Sequence, residues 1–312
     1  MARSPNDLGA TRSRIRRVSR TLERRYPVRW VLAAPALLLL AISVALPILL
    51  TILLSLTDAG LAGDLPDFIG FDNYLFQAIF NDRFYGAIFT TVVFMIGAVF
   101  SQFILGFGFA LLLWGQKKRR KLFLTPLLAP MFITWVAVGL IFRFIFNQEF
   151  GIVPHLLGFI GLGNVPWLSD PTFALVTIVI ADTWQWTPFI MILILAGLES
   201  LPKAPHEAAK TDGASDVEVF KDVTLPLMKP VLAIALFIRT IEASKLFPKV
   251  ITMTNGGPGT ATESISYLIY KTAFTNFQIA PAASQAVSAT LMILGFALVY
   301  WWLQVRGENY GR

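Results

Sequence analysis

Six long, predominantly apolar runs dominate this chain, near residues 30–56, 86–114, 122–146, 173–198, 231–253 and 284–303. A helix needs roughly 20 apolar residues to cross the hydrocarbon core of a bilayer, so each run is long enough to span. Inside lipid every backbone N–H and C=O must be satisfied within the protein, which leaves helices or a closed barrel. A barrel is written in short strands of alternating polarity, and these runs do not alternate. The sequence therefore predicts an all-α integral membrane protein with six transmembrane helices. Charged residues make up only 14% of the chain, too few to cover a water-soluble globule. Arginines precede the first run, as in a secretory signal. That run is much longer than the apolar core of a signal peptide, so it reads as a retained first helix.

A net charge of +7 raises the question of nucleic acid, and its distribution answers it. Nine arginines lie between Arg3 and Arg29, and five further cations fill 117–121. Both clusters sit beside apolar runs, as cytoplasmic anchors do under the positive-inside rule. With the N-terminus inside, the tail, the 116–121 loop, the 199–229 loop and the C-terminus hold 20 of the 26 Lys and Arg. The expected organisation is a basic cytoplasmic tail (1–29), a membrane domain (30–303) and a short cytoplasmic tail (304–312). The spans are expected in a cytoplasmic membrane, with both termini on its inner side. No nucleic-acid partner is expected, and membrane lipid is the surrounding medium.

The loop at 199–230 is unlike a passive connector. It is long, and a long loop usually has a function. His206 to Lys210 favours a short helix, Gly213 permits a left-handed reversal, and Ala214 to Lys221 starts another turn. Pro226 and Pro230 then set the start of the next span. Short helices held between two spans form either a rigid knob that a partner can push or an amphipathic interfacial segment.

Glu207-Ala208-Ala209, then Gly213, then Val223-x-Leu225-Pro226 resemble the EAA loop of binding-protein-dependent ABC importer permeases. The stretches LAAPALLLLAISVALP, FIGFDNYL, WLSDP, DTWQWTPF, LAGLESLP and NGGPGTATES are similar to its sugar-permease branch, the larger of two paired subunit types. The resemblance covers about 28–303. It implies the type I importer permease fold and a non-catalytic subunit that binds no cofactor itself. The implied partners are a second homologous permease subunit, two cytoplasmic ATPase subunits carrying ATP and Mg, and an extracytoplasmic solute-binding protein. The loop would be the coupling helix. Glu207 would meet a basic residue of the ATPase, Asp212 and Gly213 would form the inserting turn, and Ala208, Ala209, Leu225 and Pro226 complete the motif.

Ionisable groups inside spans are expensive and mark functional positions. In the fifth run, Arg239, Glu242, Lys245 and Lys249 fall on one third of a continuous helix at about 100° per residue. Arg239 and Glu242 are spaced to pair with each other. In the fourth run, Asp182, Gln185 and Trp186 share a face while Trp184 points away. Such a set suits a sugar, whose apolar face stacks on a ring while its hydroxyls hydrogen-bond. It equally suits interhelical packing, with Asp182 paired to Arg239. Gln102 and Arg143 are weaker candidates.

Relatives in this branch usually read aromatic–basic–x–Phe–Asp–x–x–Tyr after the fifth-span acid. Here Pro248 stands in place of Asp, and Lys249 is an added cation. Either the cavity favours an anionic substituent on the solute, or Lys249 reaches the outer interface.

Neither ATP hydrolysis nor metal catalysis is written in the chain. There is no GxxxxGK[ST] phosphate loop, there is no cysteine, and the two histidines, His155 and His206, lie in separate loops. A self-sufficient ion-coupled transporter or a membrane enzyme are the competing classes, and the second lacks a polar catalytic cluster. Among importers, polyol, amino-acid and anion transport are the alternatives to sugar.

Overall fold

The computed structural model describes residues 28–60, 66–116 and 120–309. The basic tail, the cations Lys117 to Arg119 and the last three residues lie outside them. The chain divides into two compact units, residues 1–53 and 54–312.

The described part of the first unit is one apolar helix. It comprises α1 (Val28–Leu40), a π-helical turn (Ala41–Ala45) and the start of α2 (Leu46–Ser55). Leucines from Leu37 to Leu50 are exposed around it, a pattern suited to hydrocarbon on all sides.

The second unit is helical throughout. Its only β pairing among the described residues is an isolated bridge between Thr57 and Phe68. A short α3 (Asp72–Tyr74) precedes the second span, α4 (Asp82–Gly115). The third span is α5 (Arg120–Leu128), a 3-10 turn (Ala129–Phe132) and α6 (Trp135–Ile145), and α7 (Ile152–Gly158) follows. The fourth span is α8 (Pro171–Ser200), and α9 (Lys203–Thr211) follows it. The chain continues as α10 (Asp216–Glu218), a π-helical turn (Val219–Thr224) and α11 (Leu225–Ala243), then α12 (Phe247–Met253), α13 (Ile265–Tyr270) and α14 (Ile279–Asn309).

Five helices among the described residues are long and apolar enough to span, and the bent third element makes six. The predicted count therefore holds, but two spans are not the continuous rods the sequence suggested. The third bends by 97° between Phe132 and Trp135, where Pro130 begins the 3-10 turn and Thr134 caps α6. The fifth is helical only to Ala243, breaks through Ser244 to Leu246, and restarts at Phe247 with Pro248 in its first turn. Proline fits a helix start because its missing N–H is not needed there.

The centre of the unit is α8, which buries Ile178, Ala181, Ile190, Met191 and Ile194 completely. It packs on α4 at Gly106, where an added Cβ would lie 2.9 Å from Ile190 Cγ2 and 3.1 Å from the Met191 backbone nitrogen. Small residues allow this approach and the dispersion contact that comes with it. Ser101 of α4 and Thr183 of α8 also share a 2.6 Å hydrogen bond.

Candidate functional site

Asp182 is the hub of a buried polar cluster drawn from four helices. It projects from α8 and is 4% exposed. Lys249 of α12 donates to Oδ1 at 2.6 Å, and Gln102 of α4 donates to Oδ2 at 2.9 Å. Arg239 of α11 pairs with Oδ2 as well, and its Nε donates to the Gln102 carbonyl oxygen. Arg239, Lys249 and Gln102 are themselves 1%, 3% and 0% exposed, so water does not screen these contacts and they are strong. The cations also face rings: Arg239 lies 5.5 Å from the Trp186 ring centre and Lys249 5.6 Å from that of Trp135. Both distances are within the range of cation–π attraction.

A small cavity of about 10 Å³ adjoins the cluster, with Trp135, Trp186, Leu246 and Pro248 in its walls. It also touches Asp182, Arg239, Glu242, Lys245 and Lys249. Trp186 stands edge-on to Trp135 and Phe189.

Several sequence expectations change at this point. Arg239 and Glu242 do not pair; Arg239 turns to Asp182, and Glu242 takes Lys245 at 2.8 Å. The common face predicted for the fifth-span charges assumed one helix, whereas Lys249 lies on α12 beyond a break. Lys249 does not extend to an outer interface either. Gln185 does not line the cavity: its amide donates to the Ile133 carbonyl at 2.7 Å, at the bend of the third span. That carbonyl is freed by the break, so the contact supplies a missing partner. Arg143 donates to the Thr252 carbonyl at 3.4 Å.

Sequence reasoning ranked Gln102 low and did not name Trp135. Gln102 is one amide in a long apolar helix, and only the neighbouring α8 and α11 make it part of a network. Trp135 carried a usable signal, since it follows Thr134, a capping residue placed after Pro130.

The second candidate region is the segment between α8 and α11. The expected thirty-residue loop is almost wholly helical. Only Leu201-Pro202 and Asp212 to Ser215 interrupt it, and α10 runs through the π turn into α11 as one helix, Asp216–Ala243. Helix α9 ends at Gly213, whose φ of +86° is in the left-handed region that glycine adopts without a Cβ penalty. Gly213 N–H reaches the Lys210 carbonyl at 3.1 Å, and Ala214 N–H reaches that of Ala209 at 3.0 Å, which closes the orphan carbonyls of the helix end. Ser215 and Glu218 then form a capping box for α10. His206 joins the two arms: Nδ1–H donates to the Pro202 carbonyl at 3.0 Å, and Nε2 lies 3.1 Å from the Thr224 hydroxyl. Glu207, Ala208, Asp212 and Gly213 are exposed on this knob, as are Leu225 and Pro226, while Ala209 is half-buried.

Six spans, a rigid exposed knob between the fourth and fifth of them and a buried charged centre are now described. Residues 102–306 match the family described as binding-protein-dependent transport system inner membrane component. The chain belongs to this family. It is therefore a multi-pass inner-membrane permease component of an ABC import system.

The trehalose/maltose transport system permease protein of Thermococcus litoralis is 35% identical over 89% of this chain and 93% of its own. The lactose transport system permease protein of Rhizobium radiobacter is 33% identical over 91% and 95%. The sulfoquinovosyl glycerol transport system permease protein of Agrobacterium fabrum is 32% identical over 86% and 88%. A chain from a bacterial alginate ABC transporter shares the fold at a TM-score of 0.76, with 23% identity over 89% of this chain and 94% of that one.

Proposed function

We propose that this chain is one half of the translocation path of an ATP-driven importer for a sugar or sugar derivative. It would pair with a second homologous permease subunit, receive solute from an extracytoplasmic binding protein, and rest on two cytoplasmic ATPase subunits that hold ATP and Mg. The N- and C-termini and the α9–α10 knob face the cytoplasm in this reading, in line with the cation count. ATP binding closes the ATPase pair, and the knob passes that closure to α8 and α11 as alternating access.

The observation that carries the proposal is the construction of the knob. Its helix end is closed by the bonds of Gly213 and Ala214 and its next helix is capped by Ser215 and Glu218, while Glu207 and Asp212 face outward. The sugar class is supported by the similarity to permeases of trehalose/maltose, lactose and sulfoquinovosyl glycerol transport systems.

Reconstitution of the complete transporter in vesicles tests the reading. Uptake of radiolabelled disaccharide should require ATP and the binding protein. Glu207→Ala should reduce uptake and binding-protein-stimulated ATP hydrolysis by at least about tenfold, the cost of truncating one member of an interfacial charge pair. Uptake that persists without ATP or the other subunits would replace the proposal with an ion-coupled transporter. Unchanged uptake in Glu207→Ala would remove this loop as the coupling element.

A further inference from the structure

Five charged side chains border the cavity beside Asp182. Three are cations (Arg239, Lys245 and Lys249) and two are carboxylates (Asp182 and Glu242). Glu242 is bound to Lys245, so that pair is neutral. Asp182 then faces both Arg239 and Lys249, and each of its oxygens is already taken. One carboxylate offsets one cation. A surplus positive charge therefore remains on side chains at most 3% exposed, where an unpaired charge is costly.

Hydrogen-bond capacity points the same way. An ammonium group has three donors and a guanidinium five. Lys249 Nζ spends one on Asp182, and Arg239 spends its Nε–H on Gln102 and a terminal N–H on Asp182.

Resting on the importer reading above, we propose that Lys249 and Arg239 form a receptor for an anionic group on the transported sugar, a carboxylate, sulfonate or sulfate ester. The incoming anion takes the spare donors and neutralises the surplus charge, while Trp135 and Trp186, in edge-on contact in the cavity wall, offer apolar surface to the sugar ring next to it. Lys245, the other fifth-span candidate, is excluded because Glu242 already neutralises it.

The cavity of about 10 Å³ has room for about one water-sized group, so in this conformation the receptor is closed. Part of its wall comes from the two broken spans: Trp135 follows one break, Leu246 is the last residue of the other, and Pro248 lies just beyond it. Discontinuous helices of this kind can open at their breaks without unpacking a continuous rod.

The test uses the complete purified transporter without its binding protein, so that any preference belongs to the membrane subunits. Sodium methanesulfonate is compared with its neutral analogue dimethyl sulfone, and with sodium chloride at equal ionic strength. Methanesulfonate alone should raise the thermal midpoint by about 2–4 °C. Lys249→Gln should abolish that rise, and Lys249→Arg should keep it.

Equal shifts with all three solutes, or an unchanged methanesulfonate shift in Lys249→Gln, would overturn the proposal. The surplus charge would then be met by a carboxylate of the partner subunit or by loss of the lysine proton. If Lys249→Gln does not assemble, the wild-type protein and Lys249→Arg decide alone, and lack of an anion-specific rise in them overturns it. Neither ATP nor binding protein is needed for this readout. A failure of the importer reading would leave the anion shift in place and abolish only ATP-dependent uptake.

Discussion

The two segments that bracket the fifth span are built on opposite plans. The one before it, from Lys203 to Ser215, has its backbone closed by His206 and the Gly213 turn, yet leaves Glu207, Ala208 and Asp212 exposed. The one after it, from Thr254 to Ser264, turns its functional groups inward. Thr262, Glu263 and Ser264 are 0%, 2% and 0% exposed. Tyr267 donates from its hydroxyl to the Asn255 carbonyl at 2.9 Å, and Thr254 and Thr262 share a 2.7 Å bond. Arg83, at the start of α4, grips Glu263 through two bonds of 2.7 Å each. One segment is complete within this chain, whereas the other is rigid but chemically unfinished. On the proposed function, that contrast separates residues kept for stability from residues kept for a partner.

The sharpest way to break the contrast is at Gly256. Its φ is +83°, and a Cβ there would meet Tyr267 Cε1 at 2.6 Å. Gly256→Ala should therefore cost roughly 2–4 kcal/mol from backbone strain and overpacking together, read as a lower thermal midpoint of the purified complex. Glu263→Gln comes next. It weakens a charge-assisted bidentate pair, and Arg83 is 40% exposed, so water recovers part of the loss. A decrease of about 1–2 kcal/mol is expected by the same measurement.

His206→Ala should be smallest, near 1 kcal/mol. Unlike the other two, it should lower coupling out of proportion to stability, measured as uptake per ATP hydrolysed. If Gly256→Ala left stability intact, or if His206→Ala destabilised the protein more than it did, the two segments would not differ as described.

The sequence revealed most where physics is averaged over many residues. Six apolar runs specify six spans because lipid leaves the backbone no other option. The knob was also visible, since Gly213 and the residues around it act locally. The breaks were harder to see. Ser244 to Leu246 interrupts an apolar run without a glycine or proline in the gap, and the informative residue, Pro248, lies just beyond it. Pro130 and Thr134 marked the bend of the third span in the same indirect way.

The centre of the site was the least legible part. Asp182, Arg239 and Lys249 stand out as charges, but their partners lie 57 and 67 residues apart in the chain. Gln102 has only a weak local signal, one amide in an apolar run. Pairing of that kind is a property of tertiary packing: i,i+3 spacing pointed Arg239 toward Glu242, whereas the alternative pairing with Asp182 across the bundle is the one that forms.

The continuous helix from Asp216 to Ala243 has a geometric consequence. At about 1.5 Å per residue, Arg239 sits roughly 34 Å along it from Asp216. A tilt of only about 5° at the knob end would carry that guanidinium about 3 Å sideways, more than a hydrogen bond tolerates. The grip on Asp182 therefore has two outcomes under load: it lets go, or it swings α8 along with it. If the knob couples as proposed, angular precision there, more than the distance it travels, would set the moment at which the charged centre opens.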